Sequence, residues 1–403
     1  MAAPHRLGFF LAMLLLAAGS LWWLAEQAGR QWGALRLGAA VSPTLAHAAV
    51  MVFGFMPLFF AGFLFTAGPR WLGVAPHTPQ KTAPCMCLQA AGWLLWLLGV
   101  HTAAWLAAAG AALAALGLAL MAGLFWRLIA ASAAEDQVHA RTVGVALIMG
   151  ALCACALALA LAAGQVLLAL SVVRTALWAF IVVVYVAVAH RMIPFFTSNV
   201  LPMIEKWRPF WVLWLMLGMV AFEVLALWVR HAAPQPPAAW LALQTAVEAA
   251  FGVVLLWLAL RWGLVQSMKI RLLAMLHLGF VWLGLALLYG GVSCALELAA
   301  GAPLLGLGAV HALGMGFLGS VMLAMVTRVS CGHSGRTLAA DNFVWRLFWA
   351  FQGVVVLRLV AAVQGAPQWT VLLVALAWTV AVLAWALHYG GWYGRPRVDG
   401  KPG

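Results

Sequence analysis

Charged residues are scarce in this sequence. Only 8% of its 403 residues are Asp, Glu, Lys or Arg, whereas 67% are hydrophobic. A soluble domain usually carries about 25% charged residues, which cover the surface that it exposes to water. The composition therefore excludes a soluble globular protein and favours one whose surface faces the apolar interior of a bilayer.

Several motifs are also absent, and each absence excludes a class of site. The sequence has no Walker loop, no HExxH and no GxSxG, so no common phosphate-binding or hydrolytic site is indicated. It has no CxxCH, so a covalent c-type haem is not expected. A GxGxxG at residues 314–319 lies inside an apolar run, where it indicates close helix packing and not a dinucleotide site.

The cysteines and the basic residues exclude two further interpretations. Four of the six cysteines lie in or at the edge of apolar runs, so they form no disulfide framework. The triplet Cys85-Met86-Cys87 suits Cu(I), but a pair of small residues at a helix start is the favoured interpretation. The net charge is +13, yet the 22 Lys and Arg are scattered between apolar runs and form no nucleic-acid patch.

Long apolar runs dominate the chain. A run of about 20 apolar residues is long enough to span a bilayer. The first run follows Arg6 and has no small-x-small cleavage site after it, so we expect it to be retained. We predict an all-α, polytopic membrane helix bundle forming one integral membrane domain over residues 1–403. The predicted spans are about 8–25, 43–68, 86–107, 109–131, 143–164, 166–190, 208–230, 239–263, 272–297, 303–327, 344–364 and 368–390.

The distribution of positive charge predicts the orientation. The two tails and the even-numbered loops together hold 17 Lys and Arg, whereas the odd-numbered loops hold Arg30, Arg36 and Arg230. Positively charged loops stay on the cytoplasmic side of a membrane. Both termini are therefore expected in the cytoplasm. An even number of helices satisfies this pattern, and the division between the third and fourth spans is placed at Gly110.

Ionisable residues at membrane depth are costly and usually face protein. Two layers of them are predicted. The outer layer combines histidine with charge, as a haem or metal site with propionate partners would: His47, His101, Arg174, Glu223, Glu248, His311 and Arg358. For His101, a tolerated histidine at the membrane interface is the favoured interpretation. The inner layer is rich in histidine: His190, His277 and His333. Other interpretations stay open. Glu223 and Arg358 would also suit a structural ion pair, and His190 would also suit the end of a helix beside Arg191.

Small residues surround His311. Gly308 and Gly314 lie three residues before and after it on one helical face. Their lack of a side chain would leave room for a flat ring beside a ligating imidazole. Close helix packing is the equally weighted alternative, because small residues are common where membrane helices meet.

Four stretches together resemble the NnrS family. They are 47–55 continuing through 61–73, which contains His47; Arg191-Met-Ile-Pro-Phe-Phe-Thr197; Leu276-His277-Leu-Gly-Phe-Val-Trp282; and 311–320 continuing through 325–336. The last stretch, which runs from His311 to Arg336, is the most specific. Order, spacing and the twelve spans all match, so the resemblance covers nearly the whole chain.

The resemblance implies a haem- and copper-containing protein of the bacterial inner membrane, associated with denitrification and with tolerance of nitric oxide. Family members usually carry His-x-His-Glu at the start of the second helix. Here His47 remains, while Ala49 and Val50 occupy the other two positions. A metal centre built on that cluster would lack two ligands, so haem is expected and copper is in question.

Imidazole suits both haem iron and copper. We expect His47 and His311 to contribute to a b-type haem whose propionates are neutralised by Arg174 or Arg358. His277, His190 and His333 are the candidate ligands of a second metal nearer the cytoplasm. Ligands on the second and tenth helices would parallel the haem-copper oxidases, by analogy only.

Three functions are compatible with these residues. The first is a haem protein that binds or turns over nitric oxide, with electrons from quinol or a separate redox protein because no soluble redox domain is present. The second is a transporter in which Arg174, Glu223 and Glu248 line a path for a small ion or metal. The third is a sensor or assembly factor that holds haem without turnover. No catalytic residue is assigned.

Overall fold

A computed structural model describes residues 3–33 and 38–400. The described residues form helices and no strand, and twelve of the helices are long and apolar enough to cross a membrane. They are α1 Pro4–Trp32, α2 Pro43–Leu72, α3 Pro79–Thr102, α4 Ala104–Ala130, α5 Val138–Ala162, α6 Val166–Val200, α7 Phe210–Ala232, α8 Ala238–Arg261, α9 Arg271–Ala300, α10 Gly308–Ser334, α11 Asn342–Val360 and α12 Gln368–Tyr393. The predicted all-α membrane bundle is confirmed.

The surface supports a bilayer environment. Large apolar side chains are exposed on many helices, among them Trp105 at 71%, Leu167 at 76% and Leu387 at 81%. Exposure of such side chains to the hydrocarbon of a bilayer is favourable, whereas their exposure to water is unfavourable. The orientation of the termini stays a prediction, and two of the residues used for it, Arg36 and Lys401, lie outside the described part of the chain.

The division between α3 and α4 lies earlier than the sequence indicated. The chain turns at Ala103, which has extended backbone angles of φ −160° and ψ 131°, whereas Gly110 lies inside α4. A Cβ on Gly110 would stand 2.5 Å from the carbonyl oxygen of Gly92, and a Cβ on Gly92 would stand 2.6 Å from that of Gly110. Gly110 is therefore a close-packing residue between two neighbouring helices and not a helix terminator.

Three of the spans change to π-helix part-way, within the described residues. The π segments are Val50–Gly54 in α2, Leu177–Val182 in α6 and Ala312–Gly319 in α10. Each begins one to three residues after a predicted site residue: His47, Arg174 and His311, respectively. Single turns of π-helix inside α-helices occur frequently at functional sites.

The chain divides into two compact units. Unit 1 comprises residues 1–187, 333–335 and 382–403. Within it α3 packs on α4, α4 on α5 and α1 on α2. Glycines bring α1 and α2 together, because a Cβ on Gly8 would stand 2.7 Å from the carbonyl oxygen of Leu58. Unit 1 thus positions His47 and Arg174.

Unit 2 comprises residues 188–332 and 336–381. Its most extensive contact joins α8 to α9, and α9 also packs along the π segment of α10. A hydrogen-bond chain holds this part of the unit: Trp282 Nε1 donates to Gln352 Oε1 at 2.7 Å, and Gln352 Nε2 donates to Ser320 Oγ at 2.9 Å. Unit 2 positions His311, Arg358, His190 and His277. The prediction of one domain stays a prediction.

Candidate functional site

His311 occupies the first turn of α10, immediately before the π segment. Its Nδ1 lies 2.9 Å from the carbonyl oxygen of Leu307. A carbonyl oxygen can only accept, so Nδ1 carries the proton and a neutral ring keeps its lone pair on Nε2. A hydrogen bond from the other ring nitrogen is the usual way in which a ligating histidine is oriented.

Arg358 of α11 supplies positive charge beside His311. It lies close enough to interact electrostatically with both His311 and Tyr289. Arg358 Nη1 and the Tyr289 hydroxyl are both shielded from solvent and have no hydrogen-bond partner within the protein. Buried polar atoms are rarely left unsatisfied. An anionic ligand that accepts hydrogen bonds would therefore satisfy a buried donor at this position.

The two glycines beside His311 have different roles. A Cβ on Gly308 would collide with the ring of Tyr289, so the space at Gly308 is already filled. A Cβ on Gly314 would meet nothing within 4 Å. Space for a flat ring is therefore available at Gly314. Gly308 instead allows α10 to pack closely against Tyr289 of α9.

His47 of α2 lies in unit 1 and is half-buried. Its ring stacks on Trp23 of α1, with centroids 4.0 Å apart and an interplanar angle of 20°. The guanidinium of Arg30 lies 5.5 Å from the centroid of Trp23, and Arg30 pairs with Glu26 at 3.0 Å. The imidazole is therefore held by its face against an indole, and charged residues of α1 flank that indole.

Arg174 belongs to the same unit. It lies in Val166–Ala176, the α-helical first part of α6, which contacts Pro43–Ala49, the part of α2 that carries His47. Both segments continue into π-helix. Unit 1 therefore places a histidine and an arginine of the predicted set on neighbouring segments.

Two contacts join helices near the predicted inner layer. His277 of α9 is fully buried, and its Nε2 lies 3.0 Å from Thr197 Oγ1 of α6. The guanidinium of Arg328 in α10 lies 3.9 Å from the centroid of Phe196. These contacts connect parts of three stretches that the sequence singled out, 191–197, 276–282 and 325–336.

The family model described as NnrS protein matches residues 1–397. The chain belongs to the NnrS family. No curated protein sequence matched it. The family match covers nearly all of the chain, and it agrees with the twelve spanning helices.

The departure from the family's His-x-His-Glu pattern has a structural counterpart. Ala49 and Val50 are both 0% exposed. A Cβ on Gly19 of α1 would stand 2.7 Å from Val50 Cγ1, so Val50 fills the space between the two helices. An apolar contact therefore occupies the position at which the resemblance to the family led us to expect an acid.

The predicted second-metal residues do not form a recognised ligand group. Among the residues that the structure describes, no group of three or more His, Cys, Asp or Glu is placed to hold a metal ion. His190 Nε2 lies 3.1 Å from the carbonyl oxygen of Pro209, and His277 binds Thr197. Their role as metal ligands stays a prediction.

His333 belongs to unit 1 and contacts His5, a residue that the sequence did not single out. Its ring centroid lies 4.2 Å from that of His5 at the start of α1. His5 is 3% exposed and its Nδ1 has no hydrogen-bond partner within the protein. No pattern in the sequence pairs two residues that lie 328 positions apart. The sequence also did not single out Tyr289 and Trp23. Both are aromatic residues in apolar runs, where they look like ordinary core residues.

Among the described residues, the suggested ion pair between Glu223 and Arg358 is not formed, because Glu223 Oε1 and Arg358 Nη1 are both buried without a hydrogen-bond partner. Glu223 interacts electrostatically with Glu248, and Arg358 with Tyr289. Residue type and depth alone had suggested the pair, whereas the partner of each side chain depends on which helix face it occupies.

Proposed function

We propose that this NnrS-family membrane protein binds a b-type haem in the bacterial inner membrane and acts in nitric oxide metabolism or in resistance to nitrosative stress. The observation that carries the proposal is the orientation of the His311 ring by a hydrogen bond. Its Nδ1–H is bonded to the Leu307 carbonyl at 2.9 Å, which directs the lone pair to Nε2. An Nε2 lone pair on an oriented imidazole is what an axial ligand requires.

Arg358 supports the same assignment. Its Nη1 is buried without a hydrogen-bond partner, beside the equally unpartnered Tyr289 hydroxyl. A carboxylate would satisfy both atoms, and haem carries two propionates. We propose that Arg358 and Tyr289 hold one of them. Haem iron, when bound, supplies a position for a diatomic ligand such as nitric oxide.

The residues around His311 also provide space. The face of α10 at Gly314 is open, whereas Tyr289 fills the face at Gly308. The change to π-helix at Ala312 sets the direction of the residues that follow His311. We propose that the open face at Gly314 receives the edge of the macrocycle.

His47 stays a predicted haem ligand of unit 1 because it is the remaining histidine of the family's pattern, and Arg174 is the positive charge on the neighbouring segment. Copper is not part of the proposal, because Ala49 and Val50 stand where the family's pattern has His and Glu. Copper binding and the electron donor, quinol or a redox protein, stay predictions.

The test is a reduced-minus-oxidised visible spectrum of the protein purified in mild detergent, followed by titration with nitric oxide. Wild type should show a stoichiometric b-type haem band that shifts with nitric oxide. His311→Ala should lose haem or change its spectrum, whereas His231→Ala, at an exposed histidine of the same unit, should match wild type. Full haem content and an unchanged spectrum in His311→Ala would contradict the assignment.

Transport of a small ion or metal is the alternative outcome of that experiment. The acidic residues Glu223 and Glu248, which interact with each other inside the spanning helices α7 and α8, favour it. A colourless, well-folded protein made with ample haem, together with ion or metal flux in liposomes, would support transport and rule out the haem proposal.

A further inference from the structure

Polar side chains form a column through the part of unit 2 where α7, α8 and α9 meet. The column contains Glu223 and Arg230 of α7, Gln244 and Glu248 of α8, and Cys294 and Glu297 of α9. Helical spacing places the members of each helix on one face, because residues three, four or seven apart lie above one another.

The ends of the helices form the mouth of the column. Arg230, in the last turn of α7, donates two hydrogen bonds to Glu297 near the end of α9, from Nη1 at 2.9 Å and from Nη2 at 3.1 Å. Such a bidentate pair combines two charge-assisted hydrogen bonds in a fixed geometry. The charge pattern of the sequence predicts that this end lies at the outer face of the membrane.

Two carboxyl groups form the inner end of the column, and the first belongs to Glu248. It is 3% exposed, and its Oε1 accepts a hydrogen bond from Gln244 Nε2 at 2.6 Å. Its Oε2 packs directly on Gly290 of α9, where a Cβ would collide with it. Gly290 lies about 10 Å inside the mouth, since seven residues separate it from Glu297 at about 1.5 Å each.

Glu223 of α7 provides the second carboxyl group. Glu223 lies seven residues before Arg230 on α7, just as Gly290 lies seven residues before Glu297 on α9, so Glu223 and the Glu248 carboxyl on Gly290 lie at a similar depth below the Arg230–Glu297 bond. Glu223 Oε1 is shielded from solvent with no hydrogen-bond partner within the protein. The Nε1 of Trp240, one turn before Gln244 on α8, is also shielded and unpartnered. Two ionised carboxylates side by side in a low-dielectric site are strongly unfavourable, and one proton shared between them removes the repulsion.

We propose that Glu223 and Glu248 hold one proton between them and exchange it with water at the Arg230–Glu297 mouth. The proton binds at a carboxyl oxygen, so the charge of the pair changes from −2 to −1 and no electron is transferred. The titratable or charged groups that face the pair are Arg230 on α7, and Cys294 and Glu297 on α9. Gln244 donates to the carboxylate that keeps its charge.

The acid pair lies next to the His311 site along α9. Gly290 supports Glu248, while the adjacent Tyr289 lies beside Arg358 and packs on Gly308. A proton held at the pair is therefore stored close to the candidate ligand site. The proposal does not depend on haem, because the column is made of protein side chains alone.

The test is infrared spectroscopy of the purified protein in lipid nanodiscs, in H2O and in D2O. Wild type should show the carbonyl stretching band of one protonated carboxylic acid at neutral pH, and the band should shift in D2O. The double variant Glu223→Gln/Glu248→Gln should lose it. Glu26→Gln, which removes a carboxylate paired with Arg30 in unit 1, should keep it.

Each outcome decides the proposal. Loss of the band in the double variant alone supports it, provided that the variant elutes as wild type in size-exclusion chromatography. A band that survives in the double variant, or none in wild type, overturns it. A band that does not shift in D2O overturns the exchange with water. Haem content, measured on the same samples, reports separately on the proposed function.

Discussion

Thr197 Oγ1 and His277 Nε2 lie 3.0 Å apart and join α6 to α9 where both side chains are fully buried. The second ring nitrogen of His277 has no hydrogen-bond partner within the protein. Thr197 therefore provides the hydrogen bond that this buried imidazole makes within the protein.

Thr197→Val removes that partner with little change in the shape of the side chain. A buried polar group left unsatisfied costs about 1–3 kcal/mol, so we expect a lower melting temperature in detergent. Thr379→Val is the matched control, because Thr379 is also buried but donates to Ala375 of its own helix. Equal melting temperatures for the two variants would show that the contact with His277 contributes nothing.

Arg358→Gln should weaken haem retention. The substitution removes a charge-assisted contact to a propionate, worth about 1.5–3 kcal/mol, which corresponds to about ten- to 150-fold in affinity. Haem content after dialysis measures the effect. Arg346→Gln, at an exposed arginine of the same helix, should retain haem as wild type does, and a similar loss in both variants would refute a specific role.

Gly314→Ala and Gly308→Ala should have different effects on stability and on haem binding. The added methyl group meets open space at Gly314 but the Tyr289 ring at Gly308. We expect Gly308→Ala to lower the melting temperature, since overpacking costs about 1–3 kcal/mol. Gly314→Ala should fold normally yet bind less haem. Unchanged haem content in Gly314→Ala would argue against a macrocycle at that face.

Gly92→Ala should separate α3 from α4. Its Cβ would stand 2.6 Å from the Gly110 carbonyl oxygen and 2.7 Å from the Ala114 nitrogen, both of which are backbone atoms. We expect a lower melting temperature, with a cost of about 1–3 kcal/mol. Gly123→Ala is the control in α4, because a Cβ there meets nothing within 4 Å. A stable Gly92→Ala variant would contradict the close approach.

The lengths of the apolar runs were sufficient to predict the twelve spans, because a membrane helix is recognised from its local composition. The turn at Ala103 was not predictable in the same way, since neither Ala103 nor its neighbours break helices. The prediction at Gly110 was wrong because a glycine that ends a helix and a glycine that packs against one look alike in sequence.

The candidate site was predictable in part. His311 and Arg358 stand out as polar residues at membrane depth, but the hydrogen bond from His311 to Leu307 depends on the rotamer. The pairing of Glu223 with Glu248 depends on which faces of α7 and α8 meet. The spacing of Gln244 and Glu248 by four residues was visible in the sequence, and it was a signal that could have indicated the polar column.

The three π segments bear on how relatives of this chain should be compared. A π turn holds one residue more than the α turn that it replaces. Residues 50–54, 177–182 and 312–319 are therefore places where a relative can lack a single residue and still keep both flanking helices. A one-position gap at any of them, in an alignment of homologues, would mark a member whose helix is regular beside His47, Arg174 or His311.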